Sequence, residues 1–247
     1  LVGRNRVVTG NPGIDGLAAD AGRHHGIGAQ VVRRDQVGGN AAVALRGDDD
    51  VLGPDAQGQA VAAAVQHGRA VAAGDEIRMR SGEYLIGDTI SIASHPGLAI
   101  RGGYSGNGTE RSGETVIYRD IASTYAHRIF YATASTLVFD SLTIANGSFT
   151  SSGGYGQGIS LYSACNATFT NCIFRNNGCN NIADSGNTGG AIGAQNGTLK
   201  VVDCTFTGNA LKSGSGNQNA LGGAIGAYGT AVSIERCHFD NNWTQAN

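Results

Sequence analysis

The chain repeats short sequence words at a fixed interval, and this periodicity restricts its fold more than any other feature. The word GGAI stands at residues 189–192 and again at 222–225, which is 33 positions later. A further 33 positions upstream, the residues at 156–159 (GQGI) are a degenerate copy of the same word. Self-similarity at such an interval is typical of stacked repeats, in which no unit buries its apolar side alone.

A second word recurs at nearly the same interval. The segments 171–177 (NCIFRNN), 203–209 (DCTFTGN) and 236–242 (RCHFDNN) share the form Cys-x-Phe-x-x-Asn, and 141–147 (SLTIANG) is a fainter copy. In and around both words, apolar residues alternate over short runs that end at Gly or Asn, which is the period of β-strands. The repeat therefore predicts an all-β parallel solenoid, in which each coil adds about 4.8 Å along the axis.

Equivalent strands in register stack equivalent side chains into columns. A slip of one residue would turn every column out to water, so the register is strongly specified. The cysteine column is predicted as a stack of small buried apolar side chains, while a disulfide between Cys165 and Cys179 in an oxidising compartment stays an open alternative. The five columns predicted to point inward are Ile159/Ile192/Ile225, Leu161/Ala194/Ala227, Phe169/Val201/Ile234, Cys172/Cys204/Cys237 and Phe174/Phe206/Phe239.

An asparagine closes each copy of the second word. Asn177, Asn209 and Asn242 follow directly on a predicted strand. Asparagine tolerates left-handed backbone geometry, and its side chain bonds neighbouring backbone groups. We therefore expect these three residues at one corner of the solenoid, with their amides bonded from coil to coil as a structural ladder.

Three segments are expected along the chain. Residues 1–55 are rich in Gly, Ala, Arg and Asp and contain no aromatic residue, which favours an irregular leader. Residues 56–74 include an Ala-rich run that predicts a short helix covering the open edge of the first coil. Residues 75–247 form the parallel β-helix, which we expect to be truncated at its C-terminal end because the sequence stops just after a strand.

Two stretches upstream of the repeats resemble those of a known family. AAGDEIRMRSGEY (72–84) is similar to the opening of many extracellular right-handed β-helix proteins, and AIRGGYSGNGTERSGETVI (99–117) resembles the stretch that follows it in bacterial surface proteins. With the GGAI and FxxN words, the chain from about residue 60 to 247 resembles the polymorphic outer-membrane proteins of chlamydiae and related autotransporter passengers.

The resemblance implies a fold, a location and a class of function. The fold is a right-handed parallel β-helix of the pectate lyase-like type with a short N-terminal capping helix, and the location is extracellular or at the bacterial outer membrane. In that family the GGAI and FxxN words are connected with adhesion. The residues themselves predict core and turn positions for both words, so the resemblance bears on structure first.

Composition argues against several other classes of function. The 17 Lys and Arg residues against 19 Asp and Glu residues give a net charge of −2 and no basic face for nucleic acid. No apolar run reaches 18 residues, so no transmembrane segment is predicted, and the first ten residues lack the apolar core of a signal peptide. No ligand spacing surrounds His24-His25, and Asp48–Asp50 is typical of a solvated acidic run, so neither a metal nor a cofactor is expected.

Two functions from different classes fit the predicted fold. The favoured one is a non-enzymatic surface adhesin or autotransporter passenger that contacts a host-surface protein or a carbohydrate. The alternative is a fragment of a carbohydrate-active β-helix enzyme, a lyase or hydrolase, with its acids in other coils. Glycosidase carboxyl groups lie about 5–9.5 Å apart, whereas Asp140 and Glu235 share an outward column three coils apart, about 14 Å at strand spacing. No catalytic residue is therefore predicted.

The candidate binding surface is an outward column on the strands that carry GGAI. Tyr162, Gln195 and Tyr228 lie two residues beyond Ser160, Gly193 and Gly226, which we also expect to be exposed, and tyrosine combines an apolar body with a polar tip. Long polar loops at Gly178–Thr188 and Ala210–Leu221 are predicted to form a rim. The rim residues are Asn180, Asp184, Lys212 and Asn217.

Overall fold

The computed structural model describes residues 29–32, 74–105, 110–150, 155–182, 187–213 and 220–245. The predicted helix at residues 56–73 and most of the predicted irregular leader lie outside the described residues. Gly74, the last residue of the predicted helix, lies in a turn with a φ of 90°. In its described part the chain contains no helix that is long and apolar enough to cross a membrane.

The described chain is an all-β parallel solenoid built on three sheets. Successive strands along the chain belong to different sheets, and each returns beside its equivalent in the previous coil. The first sheet holds β1 (Ala29–Val32), β2 (Asp75–Arg80), β5 (Leu98–Tyr104), β8 (Thr136–Asp140), β11 (Asn166–Thr170), β16 (Thr198–Val202) and β21 (Ala231–Glu235). The second holds β3 (Gly82–Ile86), β6 (Thr115–Arg119), β9 (Thr143–Ala145), β12 (Ile173–Arg175), β17 (Thr205–Thr207) and β22 (His238–Asp240). The third holds β4 (Ile90–Ala93), β7 (Phe130–Thr133), β10 (Ile159–Tyr162), β15 (Ile192–Gln195) and β20 (Ile225–Tyr228).

Strand β1 differs from the predicted irregular leader. It pairs antiparallel with β2, from Ala29 opposite Met79 to Val32 opposite Glu76. The edge of the first sheet at its N-terminal end is therefore covered by a strand. Alternation of apolar and polar residues is hard to recognise over only four residues, so the sequence pattern did not predict this strand.

The register is the one that the repeat predicts. Ile192 pairs with Ile159 on one side and Ile225 on the other, and Phe206 lies between Phe174 and Phe239. In the inner coils these columns are buried, and the phenylalanine rings stack with centroids 4.7 and 4.8 Å apart. The core is therefore built of columns in which equivalent residues of successive coils stack on one another. The same register determines which side chains face outward.

Left-handed backbone recurs at the corner between the first and second sheets. Ser141, Asn171, Asp203 and Arg236 occupy equivalent places and all have a φ between 51° and 55°. The side chains of the last two form a two-pronged ion pair between adjacent coils, with N–O distances of 2.7 and 2.8 Å. In these four coils the corner thus uses residues other than glycine, and polar side chains bridge some of its steps.

The predicted asparagine ladder lies at the next corner. The Nδ2 of Asn177 donates to the Oδ1 of Asn209 at 3.0 Å, and the Nδ2 of Asn209 donates to the Oδ1 of Asn242 at 2.8 Å. The expected left-handed geometry belongs instead to the preceding residues, Asn176, Gly208 and Asn241. This shift turns the ladder residues inward, where Asn177 and Asn209 are fully buried.

The glycine that follows each GGAI word has a packing role, and the predicted exposure at this position is wrong. Ser160, Gly193 and Gly226 are buried rather than exposed. A Cβ at Gly193 would overlap the backbone of Tyr155 and Gly156, because the turn that precedes β10 crosses this part of the third sheet. Glycine is required there because the backbone approaches closely.

The two predicted rim loops begin and end in strands, which the sequence did not predict. Two small parallel sheets form here, and each loop contributes one strand to each of them. Cys179 and Leu211 bury each other in a small second cluster, and this packing ties the loop starts together. The strands are β13 (Gly178–Ile182), β18 (Ala210–Ser213) and β23 (Trp243–Gln245) in one sheet, and β14 (Asn187–Thr188) and β19 (Ala220–Leu221) in the other.

All five cysteines are free thiols. Cys172 and Cys204 are buried in the main core, with the backbone N–H of Cys172 3.4 Å from the sulfur of Cys204. Burial raises the pKa of the Cys172 thiol well above its ordinary value. Cys165 belongs to the main core and Cys179 to the small cluster, so the alternative disulfide between them is not formed.

Candidate binding face

The predicted tyrosine column lies on the outer side of the third sheet. Tyr162 is 41% exposed, Tyr228 is 64% exposed, and Gln195 pairs with Tyr228 in adjacent strands. Tyr162 and Tyr228 lie on strands two coils apart, which corresponds to about 9.6 Å along the axis. The continuous register holds these side chains on one rigid surface.

The structure adds two tyrosines beside this column. Tyr131 on β7 stacks against Tyr162 with ring centroids 6.5 Å apart, and Tyr155 packs against Tyr162 at 6.2 Å. The Nε2 of Gln195 donates to the Oη of Tyr155 at 3.2 Å. We call the set Tyr131, Tyr155, Tyr162, Gln195 and Tyr228 the tyrosine face.

The sequence carried part of the signal for these additions. Phe130 pairs with Ile159, so Tyr131 lies beside Ser160 in the register. Extending the GGAI column one coil upstream, to IFYAT, would have located Tyr131. Tyr155 reaches the face through a turn that no strand period describes, and only the fold places it there.

The strands beneath the tyrosine face contain no charged residue. Their sequences in the described coils are ISIA, FYAT, ISLY, IGAQ and IGAY. Beside the face, Tyr155 bridges to Thr188, and Thr188 pairs with Leu221, which is 55% exposed. In the described part of the chain, the strands of this surface are therefore aromatic and polar but uncharged, and an arginine lies at their edge.

That arginine is Arg128, which lies two residues before the start of β7. Its guanidinium carbon lies 5.7 Å from the ring centre of Tyr131 and 3.7 Å from that of Phe149, and its Nε donates to the carbonyl oxygen of Gly156 at 3.0 Å. Burial lowers the pKa of Arg128 to about 10, which still leaves it protonated at neutral pH. Sequence analysis did not identify Arg128 because only the fold brings these aromatic rings and the carbonyl oxygen to it.

Two of the four predicted rim residues lie in the small three-stranded sheet. Lys212 lies in β18 and pairs with Gln245 of β23, so it belongs to the small three-stranded sheet. Asn180 lies in β13 of the same sheet. Asp184 and Asn217 lie outside the described residues.

The outer side of the first sheet carries a network of charges. Arg101 contacts both Glu76 and Asp140, with N–O distances of 3.3 and 2.8 Å, and Arg111 contacts Asp140 at 2.9 Å. Burial alone would raise the pKa of both carboxyl groups, but the hydrogen bonds and charges of the arginines hold each below its ordinary value. These positive and negative groups satisfy one another.

A shallow polar groove of about 240 Å³ lies on the outer side of the second sheet. Burial, with the charges of Glu83 and Asp120, raises the pKa of Tyr118 in its wall. Arg175 lies 3.7 Å from the carboxylate of Glu114. The groove is lined by Glu83, Val116, Tyr118, Ala145, Asn146, Arg175 and Asn176.

Comparison with known proteins adds no relative to this description. A scan against protein-family models, a search of curated proteins and a search of solved structures each gave no significant match. The fold and the three outer surfaces are therefore the basis for a functional proposal.

Proposed function

We propose that the chain is a non-enzymatic, surface-exposed or secreted solenoid that binds a carbohydrate through the tyrosine face. The observation that carries the proposal is the run of four tyrosines and a glutamine along a sheet whose strands are uncharged. The C–H faces of a sugar ring pack on aromatic rings, while its hydroxyl groups bond the polar tips of tyrosine and glutamine.

The scaffold suits this role because it is rigid. Tyr162 packs against both Tyr131 and Tyr155, and Gln195 is hydrogen-bonded to Tyr155, so little side-chain freedom is lost when a ligand binds. The resemblance of the repeats to surface adhesins and autotransporter passengers agrees with a binding role outside the cell.

The enzyme alternative is less well supported by the carboxylates that the fold brings together. Glu76 and Asp140 both contact Arg101, which makes them the pair that sequence analysis did not foresee. Glycoside hydrolysis needs one carboxyl group with a raised pKa to act as the acid. Both groups have lowered pKa values, so their chemistry fits ion pairing.

Binding to a glycan panel tests the proposal. The double variant Tyr162→Ser/Tyr228→Ser is expected to keep its melting temperature and to lose at least about tenfold in affinity, the effect of two aromatic anchors. Tyr118→Ser, on the second sheet, is the matched control and should bind like the parent. Equal binding by the double variant and the parent would move the site away from the tyrosine face.

The same panel separates binding from cleavage. Incubation of the parent with pectin, alginate and glycosaminoglycans should yield no new reducing ends and no absorbance from unsaturated products. Steady release of product would instead establish the polysaccharide lyase or hydrolase.

A further inference from the structure

Arg128 is a buried cation that has no acidic partner among the described residues. The residue is 7% exposed, and in the described part of the chain no carboxylate lies within ion-pairing distance of it. Within the described residues, its one side-chain hydrogen bond goes from Nε to the carbonyl oxygen of Gly156. Burying a charge without a counter-charge is costly, and the stacking on Phe149 and Tyr131 offsets only part of that cost.

The free edge of the guanidinium reaches solvent. Among the described residues, the two Nη nitrogens of Arg128 have no hydrogen-bond acceptor, yet neither is a fully buried atom that lacks a partner. Each therefore keeps some contact with water. This leaves two N–H groups in a fixed fork, which is the arrangement that binds carboxylate and sulfate oxygens.

Arg128 and the tyrosine face form one surface. Arg128 contacts the ring of Tyr131, which stacks on Tyr162, and its Nε bonds Gly156, the neighbour of Tyr155. The arginines of the first sheet differ in this respect, because Arg101 and Arg111 already contact Asp140. The third sheet thus presents an unpaired positive charge on a surface whose strands carry no negative one.

We propose that the tyrosine face binds an acidic glycan, with Arg128 pairing to a carboxylate or sulfate group on the sugar. This inference rests on the proposed carbohydrate-binding function and specifies its ligand class. The aromatic rings hold the sugar by its apolar faces, and the guanidinium selects chains that bear an anionic group. Charge complementarity of this kind gives specificity more than raw affinity.

Matched glycans that differ only in charge test the selection. The full chain is titrated at one salt concentration with polygalacturonate and its methyl ester, and with dextran sulfate and dextran. The parent is expected to bind at least one charged member about tenfold more tightly than its neutral partner, the worth of one charge-assisted contact. The pair that shows the difference identifies carboxylate or sulfate as the group.

Variants assign the preference to Arg128. Arg128→Gln should weaken binding of the charged glycan about tenfold and leave binding of the neutral glycan unchanged. Lys200→Gln, an exposed site on the first sheet, removes one positive charge as a control and should keep the preference.

A second variant avoids any effect of Arg128 on folding. Thr133 pairs with Tyr162 on the outer side of the third sheet, so Thr133→Glu adds a carboxylate to the face without altering Arg128. Thr133→Glu should abolish the preference for the charged glycan, whereas Thr133→Gln should retain it.

The possible failures are distinguishable. Equal binding of charged and neutral glycans by the parent would overturn the acidic ligand and leave the carbohydrate-binding function intact. Binding of none of the four would overturn both. A preference that survives in Arg128→Gln or in Thr133→Glu would remove Arg128 from the site. Competition by single-stranded poly(U) at equal concentration would point to nucleic acid and contradict the glycan assignment.

Discussion

Two coils of the solenoid carry the same Cys-x-Phe-x-x-Asn word but give it different surroundings. In the inner coil, Phe206 is fully buried and stacks on both Phe174 and Phe239. In the last coil, Phe239 is 44% exposed, and its one ring contact in the described structure is with Phe206. The same residue type at the same place in the repeat therefore buries very different areas.

The asparagines of the two words differ in the same way. Asn209 is fully buried and bonds to the coil on either side, accepting from Asn177 and donating to Asn242. The Nδ2 of Asn242 donates to the carbonyl oxygen of Phe206, in the preceding coil. In a solenoid, most of the stability that a repeat residue contributes comes from its contacts with the adjacent coils.

The largest expected effect is that of Phe206→Ala. Removal of this ring leaves a cavity between two coils and should lower the free energy of unfolding by about 3–5 kcal/mol. Denaturant unfolding followed by circular dichroism measures the change. A variant as stable as the parent would show that the inward register is wrong.

The second effect is that of Asn209→Ala, which we expect to cost about 3 kcal/mol. The substitution deprives the backbone N–H of Asn177 and the carbonyl oxygen of Phe174 of buried partners, and each unsatisfied group costs about 1–3 kcal/mol. Asn242→Ala is the matched control: it removes the equivalent bonds to the N–H of Asn209 and the carbonyl oxygen of Phe206, but these bonds are only partly buried, so it should cost clearly less. Equal losses at both positions would mean that the ladder does not gain from its second neighbour.

Phe239→Ala tests the same comparison in the last coil. Because the ring is nearly half exposed, its removal should cost about 1 kcal/mol, well below the loss at Phe206. The two variants are compared under the same denaturant conditions. A loss at Phe239 as large as the loss at Phe206 would show that the last coil is covered in solution.

The smallest effect concerns acid stability. The pKa of Asp140 is held below its ordinary value of about 3.9, so its ion pairs stabilise the fold above that pH and are lost as the pH falls through the lowered pKa. Asp140→Asn should flatten the pH dependence of the melting temperature below about pH 4. Asp203→Asn, at an exposed corner, should change that dependence less. A larger change at Asp203 would contradict this ranking of the two ion pairs.

Much of the interior was predictable from the repeat. The register of Ile159, Ile192 and Ile225 and the ladder of Asn177 and Asn209 follow from equal spacing, since in-register strands must stack equal residues. Three of the candidate-site residues that lie on strands, Tyr162, Gln195 and Tyr228, followed from the same argument. Register is a local property that period and alternation determine.

The predictions from sequence failed where segments that are distant in the chain meet. The buried state of Gly193 depends on the turn at Tyr155 and Gly156, one coil away. The burial of Asp140, which is 6% exposed, depends on Arg101 of a neighbouring strand and on Arg111 of the connection between β5 and β6. Spacing within one repeat contains no information about such contacts.

The sequence by itself therefore determined the architecture, because a period of about 33 residues with strand alternation admits a parallel stack of coils and its columns. Only the tertiary structure decided which outer surface is available for binding. On the first sheet, arginines meet carboxylates from other coils, and their charges are satisfied. On the third sheet, Arg128 meets aromatic rings and a carbonyl oxygen instead. This difference arises from side chains brought together by turns and loops, whose paths no repeat period encodes.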